Sequence, residues 1–594
     1  MKCNFKCWVR FLKIRKFSLE NCTRPFVLGL LALVFLASPL NILYSQNHRT
    51  VAITGTPAPG TSDNVVFSEF LNEPVIDGEG NVAFNGLVAG AGVNASNDGG
   101  IWSEAGGKGL KLVMRESDQA PGTNAGVVFS SFSPAFLTQS GNIAFRAVLA
   151  GSGVNGDNDG GIWSDRSGNG LMLVVREQDP APGTNSSFQS LFGSLVAVSD
   201  DASVAFGATL TGADVDSTND RGIWSDGGGD GLRLVAREGE PAPGTETFIG
   251  TIDTGSMVMN ASEQIAFAGR LGGLNGVADD CIWSESGGNG LELIAREGNP
   301  APGTAANFEI LHPPVINDVG QVAFLGNLDD GFGEAGIWKY ENGGRLNLVA
   351  RTSEPAPGTN HIFGGNWFNI LIDGAGNVSF LGSVEGEGVV DGINDRGLWS
   401  QLGGTGVNLI VLGGDPASGT EVSFTTGVFQ VSNAAGQKAL RGSLSGDNVD
   451  ETNDNGIWAS DLNGELVLIA REGEVIDVND DPEAEDLRTI SALDFIILPS
   501  GGQDGSYRSF NDRGQIAFGA SFTDGSSGIF VSNKVANFVL LGDVNGDSIV
   551  DLLDIGPFVQ VLVDQTFQPE ADTSQDGVVD LLDIGPFVEI LQGS

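Results

Sequence analysis

Residues 222–245 read GIWSDGGGDGLRLVAREGEPAPGT, and this stretch contains the elements that decide the fold. It opens on a Gly-Ile-Trp triplet and closes on Pro-Ala-Pro-Gly-Thr. Between them, Leu232, Leu234 and Ala236 alternate with Arg233, Val235 and Arg237, so each of these two sets lies on one face of an extended strand. Proline and glycine at the end predict a tight turn. The stretch therefore predicts two strands followed by a turn, with no helical periodicity.

The same elements recur with a period near 60 residues. Three markers define the units, and each marker gives eight of them. The aromatic residue of the Gly-Ile-Trp triplet stands at Trp102, Trp163, Trp224, Trp283, Trp338, Trp399, Trp458 and Phe530. A motif of the form Asn-x-x-Gly-x-x-Ala-Phe ends at Phe84, Phe145, Phe206, Phe267, Phe324, Phe380, Leu440 and Phe518. The Pro-Ala-Pro-Gly-Thr turn, whole or degraded, begins at Pro57, Gln119, Pro180, Pro241, Pro300, Pro355 and Pro416, with an eroded eighth copy near Val475.

Each unit contains four predicted strands, which is the size of a propeller blade. The array opens at Val51 with the strand that follows Ile-Trp in later units, and it ends after Gly528-Ile-Phe530. One blade would then be completed by both ends of the array, which closes a ring and removes exposed sheet edges. We predict an all-β, eight-bladed β-propeller over residues 50–535. A β-solenoid and two smaller sheet domains are the alternatives.

The eightfold Asn-x-x-Gly-x-x-Ala-Phe pattern resembles a family of bacterial secreted tandem-repeat proteins that is named for this motif. The resemblance spans residues 51–532. It implies a repeat architecture and implies no reaction.

Repeated polar residues offer candidate chemistry, and for each group a structural role is the preferred interpretation. Acidic turns before the Ile-Trp pairs could bind calcium, but Asx-turns explain them more simply. They lie at 94–98, 155–159, 216–220, 391–395 and 450–454. Arginines end the strand after Ile-Trp, and we expect them to tie neighbouring blades by a recurring salt bridge or carbonyl contact. They are Arg115, Arg176, Arg237, Arg296, Arg351 and Arg471.

The tryptophans are predicted to form core between blades, and Cys281, which replaces a glycine of other repeats, is predicted to be a buried small residue. His48, His312 and His361 have no partner at a spacing typical of a catalytic triad. No Walker, H-E-x-x-H or G-x-S-x-G motif is present. A glycosidase or lyase with carboxylates from different blades leaves no local signature and stays an alternative.

The last residues contain a second repeat, in which two 12-residue acidic loops are each followed by Ile-Gly-Pro-Phe-Val. Calcium prefers six to eight oxygen ligands, and loop positions 1, 3, 5, 7, 9 and 12 can supply them. In the first loop the predicted ligands are Asp543, Asn545, Asp547, the carbonyl of Ile549, Asp551 and Asp554. In the second they are Asp572, Ser574, Asp576, the carbonyl of Val578, Asp580 and Asp583. The sequence thus predicts two calcium sites.

This duplicated loop, with Asp rather than Glu at position 12, resembles the type I dockerin family over residues 540–594. The resemblance implies a small all-α module that two calcium ions fold and that docks onto a cohesin domain of a surface or scaffold protein. Cohesin-binding dockerins carry small polar residues at loop positions 10 and 11, whereas this chain has Leu552-Leu553 and Leu581-Leu582. The partner is therefore expected to be a cohesin-like or another surface protein. The leucines could serve as core or as an apolar docking face.

The N-terminus has the pattern of a secretory signal, with seven basic residues before an apolar run at 26–36. We predict a signal peptide at residues 1–45 and no membrane span after its cleavage; an uncleaved anchor is the alternative. The formal net charge of −45 disfavours nucleic acid and anionic membranes as partners.

Together these features predict a secreted or cell-surface repeat protein that presents a binding or structural surface and is attached through a calcium-binding tail. Polysaccharide is a further expected partner. The alternative is a secreted carbohydrate-active enzyme, either a glycoside hydrolase or a polysaccharide lyase, with the same tail.

Overall fold

The computed structural model divides the chain into two compact units. The larger unit is Asn47–Asn537, and the smaller unit contains the described residues of 538–594. The described residues are 48–107, 109–166, 170–191, 196–229, 231–273, 279–288, 290–331, 333–341, 343–401, 406–425, 429–461, 463–479, 484–496, 508–536, 544, 554–564, 571, 573, 579 and 583–591. The predicted signal peptide lies outside them.

The larger unit is a β-propeller of eight antiparallel sheets, as the sequence predicts. Each sheet, or blade, has an inner strand followed outward by a second, a third and an outer strand. The inner strands, several of them in two pieces, are Val65–Phe70 with Val75–Ile76, Val127–Phe132 with Phe136–Leu137, Ser187–Ser190 with Val196–Val198, Ile249–Met259, Phe308–Leu311 with Val315–Ile316, Ile362–Ile372, Ser423–Phe424 with Phe429–Ser432, and Leu487–Asp494 with Val475–Asp477 paired to it. The second strands are Val82–Gly90, Ile143–Gly151, Val204–Thr211, Ile265–Leu271, Val322–Leu328, Val378–Glu385, Lys438–Ser445 and Ile516–Phe522.

The third strands carry the Ile-Trp pairs, and the outer strands carry the alternating pattern from which the fold was predicted. The third strands are Gly99–Ser103, Gly160–Ser164, Arg221–Ser225, Asp280–Ser284, Ala335–Glu341, Arg396–Ser400, Asn455–Ser460 and Ser527–Ser532. The outer strands of blades one to seven are Lys111–Arg115, Met172–Arg176, Arg233–Arg237, Glu292–Arg296, Arg345–Arg351, Asn408–Leu412 and Leu466–Arg471.

Blade eight takes its outer strand, His48–Ile53, from the N-terminal end of the propeller. This strand pairs antiparallel with Ser527–Ser532, and His48 lies opposite Ser532. The predicted split blade is therefore confirmed. The shared strand holds the two ends of the array together, so blades one and eight pack face to face and neither is left with an uncovered apolar face.

An aromatic cluster at the centre of each blade repeats with the sequence. In blade one, Trp102 is fully buried, and the ring centroid of Phe67 lies 5.0 Å from its ring in an edge-on arrangement. Phe84 stacks on the same tryptophan at 6.3 Å, and the indole nitrogen donates a 3.0 Å hydrogen bond to the carbonyl of Pro59. Trp102 also packs in one cluster with Ala517 and other residues of blade eight. The tryptophans are inter-blade core, as predicted.

Glycine of the Pro-Ala-Pro-Gly-Thr turn is required by both conformation and space. Gly60 has a φ of +78°, and a Cβ there would lie 2.6 Å from the Cβ of Leu112 on the outer strand. The turn can therefore fold against the outer strand only if this residue has no side chain.

The Asn-x-x-Gly turns join each inner strand to the second strand and form a belt of hydrogen bonds around the ring. Asn511 shows the common contact, because its Nδ2 donates to the carbonyl of Asp77 in the next blade at 2.8 Å. The same contact joins Asn260 to Asn317 at 2.8 Å, Asn317 to Asp373 at 3.0 Å and Asn433 to Asn511 at 3.0 Å. The other four neighbouring pairs are joined by Gly78 N to Gln139 O, Ser140 N to Asp200 Oδ1, Ser203 Oγ to Glu263 Oε1 and Gly374 N to Ala434 O. The motif that marks the repeat thus holds every blade to the next.

The smaller unit contains two helices among its described residues, Ile555–Asp564 and Ile584–Leu591. Each begins directly after a buried aspartate, Asp554 or Asp583. The rings of Phe558 and Phe587, which are equivalent in the two copies, stack with centroids 3.9 Å apart and planes 3° apart. The two copies of the sequence repeat therefore pack against each other through equivalent residues.

Candidate functional site

The repeated polar residues belong to the scaffold. In the acidic turn of blade one, Asn94 Oδ1 accepts from the backbone nitrogen of Ser96 at 3.0 Å, which is an Asx-turn. The corresponding aspartates Asp216 and Asp450 do the same for Thr218 and Thr452. The preferred interpretation of these residues as turn formers is thus confirmed.

Four of the six repeated arginines make the same carbonyl contact, and the other two, Arg296 and Arg351, bond carboxylates of their own blades. Arg237 Nε donates to the carbonyl of Asn219 at 2.9 Å, and Asn219 lies in the acidic turn of the same blade. The expectation that these arginines tie neighbouring blades is therefore wrong. The outer strand ends beside the turn of its own sheet, so the side chain reaches that turn before it reaches the next blade.

Cys281 is fully buried, and burial raises the pKa of its thiol to about 12. The prediction of a buried small residue is confirmed. His48 is half-buried, and this desolvation, with the nearby charge of Lys534, lowers the pKa of its imidazole to about 4. The Cys281 thiol therefore offers no reactive group to solvent.

The repeat is broken between blades five and six. The turn joining the second and third strands of blade five has six residues, 329–334, whereas blade one has eight, 91–98. In blade six, the pairing of the inner with the second strand passes from Phe363 directly to Trp367, so residues 364–366 form a bulge. A Cβ on Gly365 would lie 3.2 Å from the carbonyl oxygen of Gly333, so the short turn and the bulge approach closely.

These two irregularities form the walls of an open cleft of about 400 Å³. This volume is within the roughly 300–1,000 Å³ typical of small-molecule sites. The described residues that line it are His312, Leu325, Asn327, Gly333, Ala335, Gly365, Asn366, Trp367, Phe368 and Arg396. Because no carboxylate belongs to this set, the cleft differs from the generally acidic surface of the protein.

The aromatic part of the cleft comes from the inner strand of blade six. Trp367 stacks on Phe380 with centroids 5.1 Å apart, which fixes the strand after the bulge. Phe368 is half-buried, and the guanidinium carbon of Arg396 lies 5.7 Å from its ring centroid. This is the geometry of a cation–π contact.

The polar part of the cleft consists of planar groups. The Nε2 of His312 lies 3.0 Å from the Oδ1 of Asn327. With Nε2 as the donor, the amide nitrogen of Asn327 is left for another partner. Asn366 is exposed on the bulge, and its backbone nitrogen donates to Ser383 Oγ at 3.1 Å. An aromatic surface beside amide, imidazole and guanidinium groups can bind a polar ligand with one apolar face.

A second recess of about 370 Å³ lies beside the short turn of blade five. Its charged lining consists of Asp330, Glu334, Arg351 and Glu354. Arg351 is already held by Asp330 at 2.7 Å and by Glu334 at 3.5 Å. The only described arginine of this recess is therefore already paired with two of its carboxylates.

Blade seven contains a buried lysine at a position where the other second strands begin with Val or Ile. Lys438 is 0% exposed, and its Nζ donates to Ser432 Oγ at 2.7 Å. Burial lowers the pKa of this ammonium to about 8, and the charge of Asp373 opposes that change. Part of the insertion that follows this blade, at 480–483 and 497–507, lies outside the described residues.

Ten of the twelve predicted calcium ligands lie outside the described residues. The two that are described, Asp554 and Asp583, occupy position 12 of their loops and are fully buried. Within the described part of the chain, no group of three or more His, Cys, Asp or Glu side chains is placed to hold a metal ion. Thr573 Oγ1 donates to the carbonyl of Asp583 at 2.7 Å, which fixes the start of the second helix.

A family model for a family of unknown function, DUF7453, matches residues 40–346 and 329–537. The chain belongs to the DUF7453 family. No curated protein matches this DUF7453 member in sequence. Within the described residues, its helices are too short or too polar to cross a membrane.

Three solved structures show similarity to this DUF7453 protein at low sequence identity. The Dos1 propeller is 8% identical over 81% of this chain and 94% of that chain, with a TM-score of 0.35. The periplasmic gluconolactonase PpgL of Pseudomonas aeruginosa is 13% identical over 69% of this chain and 100% of that chain, with a TM-score of 0.28. A lectin of Aleuria aurantia is 12% identical over 59% of this chain and 99% of that chain, with a TM-score of 0.22. These similarities assign no activity to the DUF7453 propeller.

The cleft could not be found by sequence reasoning, which followed the repeated markers. Two signals were present in the sequence: the short turn at 329–334 and the Gly364-Gly365 pair ahead of Trp367-Phe368. Each signal is a deviation from the repeated sequence, but only the structure shows that the short turn of blade five and the bulge of blade six lie next to each other.

Proposed function

We propose that this protein is an exported binding protein whose propeller holds a saccharide in the cleft between blades five and six. The observation that carries the proposal is the cleft itself, in which the half-buried ring of Phe368 lies beside the planar polar groups of Asn327, Asn366 and Arg396. A sugar ring has an apolar C–H face and hydroxyl groups around its rim, so an aromatic ring and hydrogen-bonding side chains complement it.

Binding without catalysis fits the cleft better than hydrolysis does. Glycoside hydrolases generally need two carboxyl groups on either side of the scissile bond. The described residues that line the cleft include no Asp or Glu. A glycoside hydrolase would therefore need a site elsewhere.

The test uses the full-length protein against a panel of soluble oligosaccharides, measured by titration calorimetry. Phe368→Ala should weaken the binding of the recognised saccharide at least tenfold, because the sugar loses its apolar platform. Phe248→Ala is the matched control, since Phe248 is an exposed phenylalanine of blade four, 39% exposed, outside the cleft. Equal affinities in both variants would show that the ligand does not use this cleft. Release of shorter sugars during the titration would favour the enzyme.

The second part of the proposal concerns attachment, which we assign to the duplicated tail. The donor set suits calcium, because each loop supplies carboxylate, amide or hydroxyl, and carbonyl oxygens at the required spacing. The burial of Asp554 and Asp583 at the starts of two equivalent helices supports this fit. Two bound ions would hold the helices together and present a surface to a cohesin-like or other surface protein.

Calcium titration of the full-length protein tests the tail. The double variant Asp543→Ala/Asp572→Ala should lose two sites, since each change removes the first ligand of a loop. Asp216→Ala/Asp450→Ala, which alters two blade turns, should keep both sites. An unchanged calcium stoichiometry in the tail variant would end this assignment.

A further inference from the structure

Arg396 is placed as a binding group that the scaffold does not use. Its Nε lies 3.9 Å from Asp395 Oδ2, which is beyond hydrogen-bonding distance. Asp395 Oδ1 accepts from the backbone nitrogen of Gly392 at 2.8 Å. Among the described residues, no group accepts a hydrogen bond from the guanidinium, and its side chain is 41% exposed. The repeated arginines, such as Arg237, are instead bonded to carbonyls or carboxylates.

The contact with Phe368 orients this guanidinium. The guanidinium carbon lies over the Phe368 ring, 5.7 Å from its centroid, and among the described residues no acceptor occupies the N–H donors. An arginine edge has the spacing of a carboxylate, which it binds through two parallel, charge-assisted hydrogen bonds. The cleft can therefore offer a fork of donors next to an aromatic platform.

The charges around the cleft also favour a ligand that carries a carboxylate. The protein has 75 acidic and 30 basic residues, yet the described lining of the cleft contains an arginine and a histidine and no carboxylate. The Asp395 carboxylate lies outside this lining, but its Oδ2 is 3.9 Å from Arg396 Nε, well within the Debye length of about 8 Å, so it offsets part of the arginine charge. The described residues that line the cleft nevertheless place a cation and no carboxylate against a bound ligand.

From these observations we infer that the saccharide of this site carries a carboxylate, as a uronic acid does, and that Arg396 binds it. The inference rests on the proposed function, since it specifies the ligand of the same cleft. The sugar ring would lie against Phe368 and its carboxylate would face the edge of Arg396. Asn327 and Asn366 would be left to bind hydroxyl groups.

The test compares an oligogalacturonate with its methyl ester, which lacks the charge and carries one extra methyl group on each sugar, by calorimetry on the full-length protein in about 0.15 M salt. The acid should bind roughly tenfold or more tightly than the ester, because the ester lacks the negative charge and the second equivalent oxygen that the guanidinium fork would bond. Arg396→Gln should reduce this preference to near onefold. The matched control is Arg221→Gln, since Arg221 begins the third strand of blade three as Arg396 begins that of blade six.

Each result decides the inference. A preference for the acid that Arg396→Gln abolishes and Arg221→Gln preserves supports it. Equal binding of the two probes, a preference that survives in Arg396→Gln, or no binding of the acid overturns it. If neutral saccharides then bind and depend on Phe368, the proposed function stands without the carboxylate; if no saccharide binds, both fail.

Discussion

The buried ammonium of Lys438 should make the stability of the propeller depend on pH in a defined interval. The pKa of this lysine falls from 10.5 to about 8 in the folded protein, chiefly because burial disfavours the charged form. A pKa difference of one between the folded and unfolded protein corresponds to about 1.36 kcal/mol, so the cost of burying the charge is about 3 kcal/mol. Because the residue is 0% exposed, solvent does not screen this cost appreciably.

The direction of the effect follows from which state holds the proton. Below pH 8, Lys438 is charged in both states and the full cost lowers the free energy of unfolding. Between pH 8 and 10.5, the unfolded chain keeps the proton that the folded protein releases, so stability rises with pH. Above 10.5 the lysine contributes no further change.

The perturbation is Lys438→Met, which keeps an unbranched side chain and removes the charge. We expect this variant to be about 3 kcal/mol more stable than the parent protein at pH 7, with the difference shrinking toward pH 10.5. Denaturant unfolding at several pH values between 7 and 10.5 measures it, and the exposed lysine in Lys111→Met is the control. A stability difference that does not change with pH, or that matches the control, would refute the reasoning.

Three further predictions test the scaffold. Gly60→Ala should lower the free energy of unfolding by about 1–3 kcal/mol in denaturant unfolding, because the new Cβ would lie 2.6 Å from the Cβ of Leu112. The control is Gly92→Ala, which has nothing within 4 Å of its new Cβ and should lose only the free energy of the backbone strain. Asn511→Ala should destabilise the propeller by about 1–3 kcal/mol in the same assay, because it leaves a carbonyl of the neighbouring blade without its donor. Cys281, with a thiol pKa of about 12 and no exposure, should not react with a thiol reagent at pH 8 until denaturant is added, which absorbance reports directly.

The sequence was a good guide wherever a residue repeats for a local reason. The alternation around Leu234 predicted the outer strand, and the fixed position of Trp224 predicted core, because burial imposes the same pattern on every blade. The closed ring was predictable from the strand at Val51, because this strand precedes the first complete unit and can be paired only by completing the sheet of the last one. These inferences depended on periodicity, which is visible without coordinates.

Contacts between distant residues were less predictable. The Asn-x-x-Gly motif indicated a turn, but nothing local indicates that the side chain of Asn260 reaches the carbonyl of Asn317. The same limit explains the error over Arg237, whose partner depends on how closely the turn of its own blade approaches. The cleft was the hardest feature to predict, because a bulge in one blade and a short turn in another have no sequence relation.

The closure of blade eight determines how the propeller bears a mechanical load. A pull on the chain beyond Ser532 acts first on the strand Ser527–Ser532, which has a hydrogen-bonded neighbour on each side, Ile516–Phe522 and His48–Ile53. Without the N-terminal strand, the pulled strand would lie at an edge and could peel away from a single partner. With it, two ladders must separate together, so the strand His48–Ile53 gives the propeller resistance to a force applied at its C-terminal end.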